Sequence, residues 1–323
     1  MKLQQLRFLL EIKRQQFNIS RAALSLCTSQ SGISKQIQLL EEELGISVFI
    51  RSSRQLLGFT EEGEQVARMA EDILARVEDI RSLSEERNQL NQELKIATTH
   101  TQARYVLPEI VKDFVQCFPD IKLHIYQGTP EQIALMLEQG SVDIAIATEV
   151  LSDRESLVAM PYYQWSRSLI LPPENPLTEK QSIELEDIVR YPIITYVKGF
   201  TGRSKIDEVF ERHHLTPNYI LTAADADVIK TYVRLGLGIG IVANMAVSPV
   251  IDMDLKVVDA SRLFGYCTSF IAIKKDKYIK SFVYRFIEML SPALDKNRVQ
   301  QFQTSVDMKQ RQEWVHKMDI PVL

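Results

Sequence analysis

Apolar positions at the start of the chain recur at helical spacing, separated by short polar breaks. Leu3, Leu6 and Leu10 mark a first helix, and Asn18 offers a cap for a second, short run from Ile19 to Leu26 that carries Ala22 and Ala23. After a tight turn at Cys27-Thr28, a third helix capped by Thr28 or Ser29 places Ile33, Ile37, Leu40 and Leu44 on one stripe. Gln30, Ser31, Ser34, Lys35 and Gln38 fall on its opposite face. Ile46 to Ile50 and Leu56 to Phe59 then read as two strands of a wing with Arg51 and Arg54 at its tip. From Thr60, a cap followed by Glu61 and Glu62, a long helix runs to about Asn88. Val66, Ile73 and Ile80 are seven apart with Ala70 and Val77 between them, a heptad seam of about two repeats suited to pairing two chains. An amphipathic helix packed on its own body is the competing reading, and the dense charge on the other face speaks against it.

Beyond residue 92 short apolar strands alternate with helices, the pattern of an α/β fold. The strands are Leu94 to Thr98, Lys122 to Tyr126, Asp143 to Ala147, Leu157 to Pro161, Ser168 to Leu171, Ile193 to Tyr196, Tyr219 to Thr222, Gly240 to Ala243, Leu255 to Val258 and Cys267 to Ile273. The clearest helices are Gln102 to Phe118, Glu131 to Gln139, Ile183 to Val189, Gly202 to His213, Asp225 to Leu235 and Ile279 to Leu290. The strand at Asp143 to Thr148 has a loose echo at Gly238 to Ala243, which implies two similar halves holding a ligand between them. Gly236, Gly238 and Gly240 follow a helix and precede a strand, the reverse of a dinucleotide fingerprint, so they serve the turn.

Charge changes the picture of the first sixty residues. The 323-residue chain holds 38 Lys and Arg against 42 Asp and Glu, a formal charge of −4 that on its face disfavours a polyanionic partner. Residues 1 to 60 carry eight bases (Lys2, Arg7, Lys13, Arg14, Arg21, Lys35, Arg51, Arg54) and four acids (Glu11, Glu41, Glu42, Glu43), hence +4, which leaves −8 on the rest. A short helix, a tight turn and a longer helix with a polar outer face is the helix-turn-helix plan, whose second helix enters the major groove. Gln30 and Gln38 suit adenine edges, Ser31 and Ser34 suit bases or phosphate, and Lys35, Arg51 and Arg54 supply backbone charge. The acids Glu41 to Glu43 would repel phosphate, so only the first half of the helix should enter the groove. A plain three-helix bundle with a solvated face is the alternative.

The other candidate chemistry lies at strand-to-helix junctions. Free N–H groups and the helix dipole make such junctions anion sites, and Thr98-Thr99-His100-Thr101-Gln102 adds hydroxyls and an amide to one. Phe200-Thr201-Gly202-Arg203-Ser204 opens the corresponding helix of the second half, Thr148 ends a strand, and Trp165 lies near the crossover between halves. Each threonine alone reads equally as a helix cap; their paired placement points to a small polar or anionic ligand. The five histidines (His100, His124, His213, His214, His316) have no metal-ligand spacing, no nucleophile elbow or P-loop is present, and no cofactor or metal is expected. Cys27, Cys117 and Cys267 have no paired spacing and read as packing residues in a reducing compartment. Charges break every apolar run of the opening segment, so neither a secretory segment nor a membrane span is expected, and the cytoplasm is the expected location.

These residues carry a resemblance. Ala23, Leu26, Ser29-Gln30-Ser31-Gly32-Ile33-Ser34, Gln36-Ile37, Leu40-Glu41, Leu44-Gly45, Phe49, Arg51, Thr60 and Gly63 resemble the N-terminal domain of LysR-type transcriptional regulators, and the remainder of the chain resembles that family's linker helix and ligand-binding domain. Within the family, Thr98 to Tyr105, Ala145 to Glu149, Gly199 to Ser204 and Asp225 to Gly238 resemble the CysB subgroup, regulators of sulfur assimilation and cysteine synthesis. Ser31 stands where close relatives often have proline, and residues 83 to 92 look unlike theirs. The resemblance implies a winged helix-turn-helix head (1–59), a linker and dimerisation helix (60–91), and an α/β effector-binding domain of periplasmic-binding-protein type (92–294). That domain divides into subdomain I (about 92–162 and 267–294) and subdomain II (about 163–266), and a tail (295–323) comes after it. The resemblance also implies promoter DNA as partner, a homodimer or homotetramer, and an effector held by Thr99, Thr101, Gln102, Thr148, Trp165 and Thr201. Sulfate can occupy the cleft and acetylserine acts as inducer in that subgroup, which also includes a sulfonate-use regulator answering to adenosine phosphosulfate. A small-anion-binding enzyme and a solute-binding protein are the readings from other classes, the latter disfavoured by the basic head. The tail, polar with late apolar positions at Trp314, Ile320 and Val322, is expected to pack on a partner subunit or fray.

Overall fold

The computed structural model describes residues 1–52, 55–88, 92–200, 202–304 and 320–323, which form two compact units, Met1–Leu90 and Asn91–Leu323. No helix among the described residues is long and apolar enough to cross a membrane.

In the first unit α1 (Leu3–Arg14), α2 (Ile19–Ser25) and α3 (Gln30–Leu44) enclose Leu6, Leu9, Ile12, Ala22, Ile33, Ile37 and Leu40, all buried. Asn18 caps α2 by accepting from the Arg21 N–H at 3.0 Å. Ser29, rather than Thr28, caps α3 by accepting from the Gly32 N–H at 3.0 Å. Leu44, expected on the apolar stripe, is exposed, because α3 stops there on a left-handed Gly45 (φ +69°). The wing is the antiparallel pair β1 (Phe49–Ser52) and β2 (Gln55–Phe59), and the rings of Phe17, Phe49 and Phe59 pack together with centroids 5.0 to 6.3 Å apart.

The linker helix α4 (Glu61–Arg87) starts where expected, with Thr60 Oγ1 accepting from the Gly63 N–H at 2.9 Å and donating to Ser47 O at 2.6 Å. Its first turns belong to the head. Ala67 and Ala70 are buried in the head core, and Val66 and Leu74 pack against it. Of the expected seam, Val66 and Ala70 therefore face the head, and the apolar side chains left exposed are Met69, Ile73, Ile80 and Leu83. Small residues at 63, 67 and 70 share one face and permit this approach; a Cβ on Gly63 would stand 2.0 Å from Val48 O.

The second unit holds two five-stranded sheets built alike. In the first, β3 (Glu93–Thr98) lies between parallel β4 (Lys122–Gln127) and β5 (Ile144–Ala147), and antiparallel β12 (Cys267–Lys274) and β6 (Leu157–Trp165) complete the order β4-β3-β5-β12-β6. In the second, β8 (Ile193–Tyr196) lies between parallel β9 (Tyr219–Ala223) and β10 (Ile239–Ala243), and antiparallel β7 (Arg167–Leu171) and β11 (Lys256–Asp259) complete β9-β8-β10-β7-β11. The echo extends to single bonds: Thr98 Oγ1 donates to Ile146 O at 3.0 Å in one sheet, and Thr195 Oγ1 to Ile241 O at 2.9 Å in the other. The chain crosses from β6 to β7 through Ser166 alone and returns between β11 and β12 past α10 (Ser261–Phe264).

Several elements depart from expectation for identifiable reasons. Strand β6 continues through Pro161 to Trp165, because the proline lies at a register irregularity on an edge strand, where a missing N–H costs nothing. The helix expected over 102 to 118 opens as a π turn, Gln102–Val106, before α5 (Leu107–Cys117); Pro108 at its second position has no N–H for a regular bond. The helix expected over 183 to 189 shrinks to a single turn, α7 (Leu185–Ile188), while α6 (Pro130–Glu138), α8 (Arg203–Arg212), α9 (Ala226–Arg234) and α11 (Ser281–Leu290) stand where expected. Gly236 closes α9 in the left-handed region (φ +75°), and at Gly238 a Cβ would meet Pro192 O at 2.3 Å, so these glycines serve the turn. Cys27 and Cys117 are exposed rather than packed; Cys267 alone is buried. The start of the tail does not fray: α12 (Lys296–Thr304) buries Val299 and Phe302 in the core of this unit. Its end pairs with β6, Gln164 N–H donating to Pro321 O at 2.8 Å and Leu323 N–H to Gln164 O at 2.9 Å. Trp314 lies outside the described residues.

A buried ion network anchors the loop after β10. Lys230, 3% exposed on α9, donates to Ala246 O at 2.9 Å and to Asp252 at 3.2 Å, and Arg234 reaches Asp252 at 2.7 Å. Burial alone would raise the Asp252 carboxyl, but the Ser248 N–H, Arg234 and Lys230 together hold it below its ordinary value. That stability is present above the unfolded-state value of about 3.9 and is lost as pH falls through the lower folded value. Asp252→Asn should therefore lower the melting temperature at pH 7, with the gap from wild type closing below about pH 4. In the head, Gly63→Ala should cost about 3 kcal/mol through overpacking against Val48 O. Gly58→Ala, with open space around it, should leave thermal unfolding followed by circular dichroism unchanged.

Candidate DNA interface and effector site

The outer face of α3 presents Gln30, Ser31, Lys35 and Gln38 exposed and Ser34 half-buried, with Ile33 and Ile37 behind them in the core. Gln30 Oε1 accepts from Ser20 Oγ at 3.1 Å, Ser31 and Ser29 hydroxyls lie 3.3 Å apart, and Gln38 Nε2 donates to Glu42 at 2.9 Å. Lys35 makes no ion pair among the described residues, so its charge is available to phosphate. Glu41 is not a groove-facing acid. Its carboxylate turns to the wing, accepting from the Val48 N–H at 2.8 Å, the Phe49 N–H at 3.3 Å and Arg51 Nη2 at 2.7 Å. Arg51 thus ties the wing to α3, and a phosphate would compete with Glu41 for it. Arg54 lies outside the described residues.

In the second unit, β3 ends at Thr98 and helical geometry begins at His100. Thr98 pairs with Ile146, so Thr99 to Gln102 and Thr148 leave neighbouring parallel strands at the same end of the first sheet. Thr99, Thr101, Gln102 and Thr148 are all buried. The Gln102 amide is committed to the wall: its carbonyl accepts from Tyr162 Oη at 2.7 Å, and its nitrogen donates to Tyr163 Oη and to Ser269 Oγ, the latter at 3.1 Å. Burial raises the phenols of both tyrosines, so they stay neutral. Thr101 neighbours Tyr196, whose phenol burial pushes up to about 12 and which accepts from the Ala243 N–H at 3.1 Å. Thr201 lies outside the described residues; beside it, left-handed Gly202 (φ +63°) opens α8 where a Cβ would stand 2.4 Å from Arg167 Nη2.

The crossover residues complete the site. Trp165 and Arg167 are each 1% exposed, and Arg167 pairs with Ala243 at the end of β10, which places the segment across the carboxyl ends of the parallel strands, where open α/β sheets hold ligands. Arg167 Nη2 donates to Gly202 O at 2.8 Å and to Cys267 Sγ at 3.2 Å. Sequence reasoning chose Trp165 and passed over Arg167, because an arginine in an unknown fold is read as surface.

Beside this site the π turn and α9 meet. Tyr105 Oη donates to Asp227 at 2.6 Å, Arg104 Nε approaches it at 3.4 Å, and Lys230 at 3.2 Å. Burial followed by the Asp227 bond raises the Tyr105 phenol. His100, Asp225 and Asp227 bring ligand atoms within 4.8 Å of one another, a cluster that residue spacing concealed. Asp227 is already neutralised by its cationic neighbours, and Asp225 caps α9 through the Val228 N–H at 2.9 Å, so the group fits a clasp between the two halves better than a cation site.

Two family descriptions match the chain: "Bacterial regulatory helix-turn-helix protein, lysR family" over residues 3–64 and "LysR substrate binding domain" over residues 87–295. The HTH-type transcriptional regulator CysB of Haemophilus influenzae is 44% identical over 301 residues, 93% of either chain. The HTH-type transcriptional regulator SsuR of Burkholderia cenocepacia is 43% identical over 300 residues, 93% of this chain and 97% of that one. Among solved structures, the cofactor-binding domain of the Cbl transcriptional regulator is 43% identical with a TM-score of 0.63, covering 66% of this chain and 94% of that domain. These relatives are transcriptional regulators rather than enzymes. With a basic helix-turn-helix head and a paired-sheet body both matched over nearly their whole length, the chain belongs to the LysR family of bacterial transcriptional regulators.

Proposed function

We propose that the chain is an effector-responsive DNA-binding regulator of sulfur-assimilation and cysteine-synthesis genes, acting in the cytoplasm as a homodimer that pairs further into tetramers. Residues 1–59 read promoter DNA through Gln30, Ser31, Ser34, Lys35 and Gln38, with Arg51 and Arg54 on the backbone. Residues 60–91 pair two chains through the exposed stripe of Met69, Ile73, Ile80 and Leu83. Residues 92–294 bind the effector between subdomains at Thr99, Thr101, Gln102, Thr148, Trp165 and Thr201. Acetylserine is the expected inducer and sulfate or a related anion an occupant of the same cleft.

The observation that supports this reading most is the convergence of buried Thr99, Thr101, Thr148 and Trp165 on the carboxyl ends of the parallel strands. It occurs in a chain whose other unit presents the exposed polar face of α3. Identities of 43 to 44% to CysB, SsuR and Cbl regulators keep a second reading open, a sulfonate-use regulator answering to adenosine phosphosulfate.

Promoter footprinting with acetylserine, sulfate and adenosine phosphosulfate added singly separates the two readings by which compound alters the protected region. Thr101→Trp should abolish that response and leave promoter affinity within about twofold; loss of both would reject the two-module account. Lys35→Ala should weaken promoter and non-specific DNA alike and reduce the slope of log affinity against log salt by about 1, measured by fluorescence anisotropy.

A further inference from the structure

Among the described residues, the crossover carries a charge with no counter-charge. Arg167 is 1% exposed, yet its acceptors are the neutral Gly202 carbonyl and the Cys267 sulfur. Among the described residues, its Nε and Nη1 have no hydrogen-bond partner, nor has the indole Nε1 of Trp165, whose ring lies 5.2 Å from the guanidinium carbon. No carboxylate forms a salt bridge with Arg167 among the described residues. A buried guanidinium is costly unless an anion and acceptors complete it, and a ring face offers only part of that compensation. Three buried N–H-bearing nitrogens without acceptors, one of them on the stem and one at the tip of a permanent cation, describe the complement of a negatively charged oxygen group.

We propose that Arg167 is the charge-bearing anchor of the effector site, with the unpartnered Trp165 N–H as a second donor, and that the cleft selects ligands carrying a full negative charge on oxygen over neutral molecules of the same shape. This rests on the reading of the cleft as an effector site that admits an anion, and adds to it the residue that carries the opposing charge and the selection that follows from it. Thr99 and Thr101 then contact the ligand from the first sheet, while Arg167 holds its anionic group from the second.

Isothermal titration of the full chain with inorganic sulfate and with dimethyl sulfone, a neutral tetrahedral isostere, at constant ionic strength in chloride tests the proposal. Wild type should bind sulfate at least about 30-fold more tightly than dimethyl sulfone. Arg167→Gln should lose at least about 30-fold in sulfate affinity, Arg167→Lys should recover part of that loss, and Trp165→Phe should lose severalfold, each with a wild-type circular dichroism spectrum. Sulfate affinity of Arg167→Gln within about threefold of wild type, with Thr101→Trp abolishing binding, would overturn the anchor and leave the cleft reading standing. Binding that neither substitution alters, or no binding to wild type, would reject the cleft as the anion site. If Arg167→Gln does not fold, equal wild-type affinities for sulfate and dimethyl sulfone would overturn the proposal, and preference for sulfate together with the Trp165→Phe loss would support it.

Discussion

The second unit depends on how the chain passes between its sheets. Strand β6 ends at Trp165 and β7 begins at Arg167, with only Ser166 between them. Because each sheet takes an antiparallel strand adjoining a crossing (β12 in one, β7 in the other), the carboxyl ends of both parallel sets are brought to the same segment. That single-residue passage puts an indole and a guanidinium where the strand-to-helix junctions already offer hydroxyls. The site is a consequence of connectivity before it is a consequence of side-chain choice. The Tyr105–Asp227 bond then joins the π turn to α9 beside it, and the Lys230 network ties α9 to the loop after β10.

The head is organised by a different economy of charge. An acidic run at the end of α3 looks hostile to DNA, yet Glu41 spends its carboxylate on two wing N–H groups and Arg51. The wing is thereby held to the recognition helix by charge-assisted bonds as well as by the Phe17, Phe49 and Phe59 cluster. Lys35, which has no ion pair among the described residues, is left as an unencumbered cation of the exposed face.

Much of this was legible in the sequence, for reasons that can be named. Most strands of the second unit are short, apolar-rich runs between polar turns, and Asn18, Ser29 and Thr60 announce their helices by a side-chain oxygen placed before the first turn. What stayed hidden depends on distant partners. The face that α4 turns to the head is set by Gly63, Ala67 and Ala70 against Val48, a contact that heptad counting cannot see. The π turn at Gln102–Val106 arises from Pro108 inside a stretch that otherwise reads as one helix. Val299 and Phe302 are two apolar positions in a polar tail, and only the finished core shows that they fill it. Arg167 and the His100–Asp225–Asp227 cluster owe their meaning to burial and to neighbours far along the chain.

The burial of Ala67 and Ala70 in the head has a mechanical meaning. With its first turns part of the head core, α4 has no joint between the recognition helix and its own exposed half; its 27 residues form a lever about 40 Å long, rigidly fixed at the DNA end. In the proposed dimer, a change in the angle at which two such levers cross would be transmitted to the groove, and a few degrees at the far end would displace the reading face by ångströms. DNA whose half-sites stand at one separation would fit one crossing angle and be strained by another.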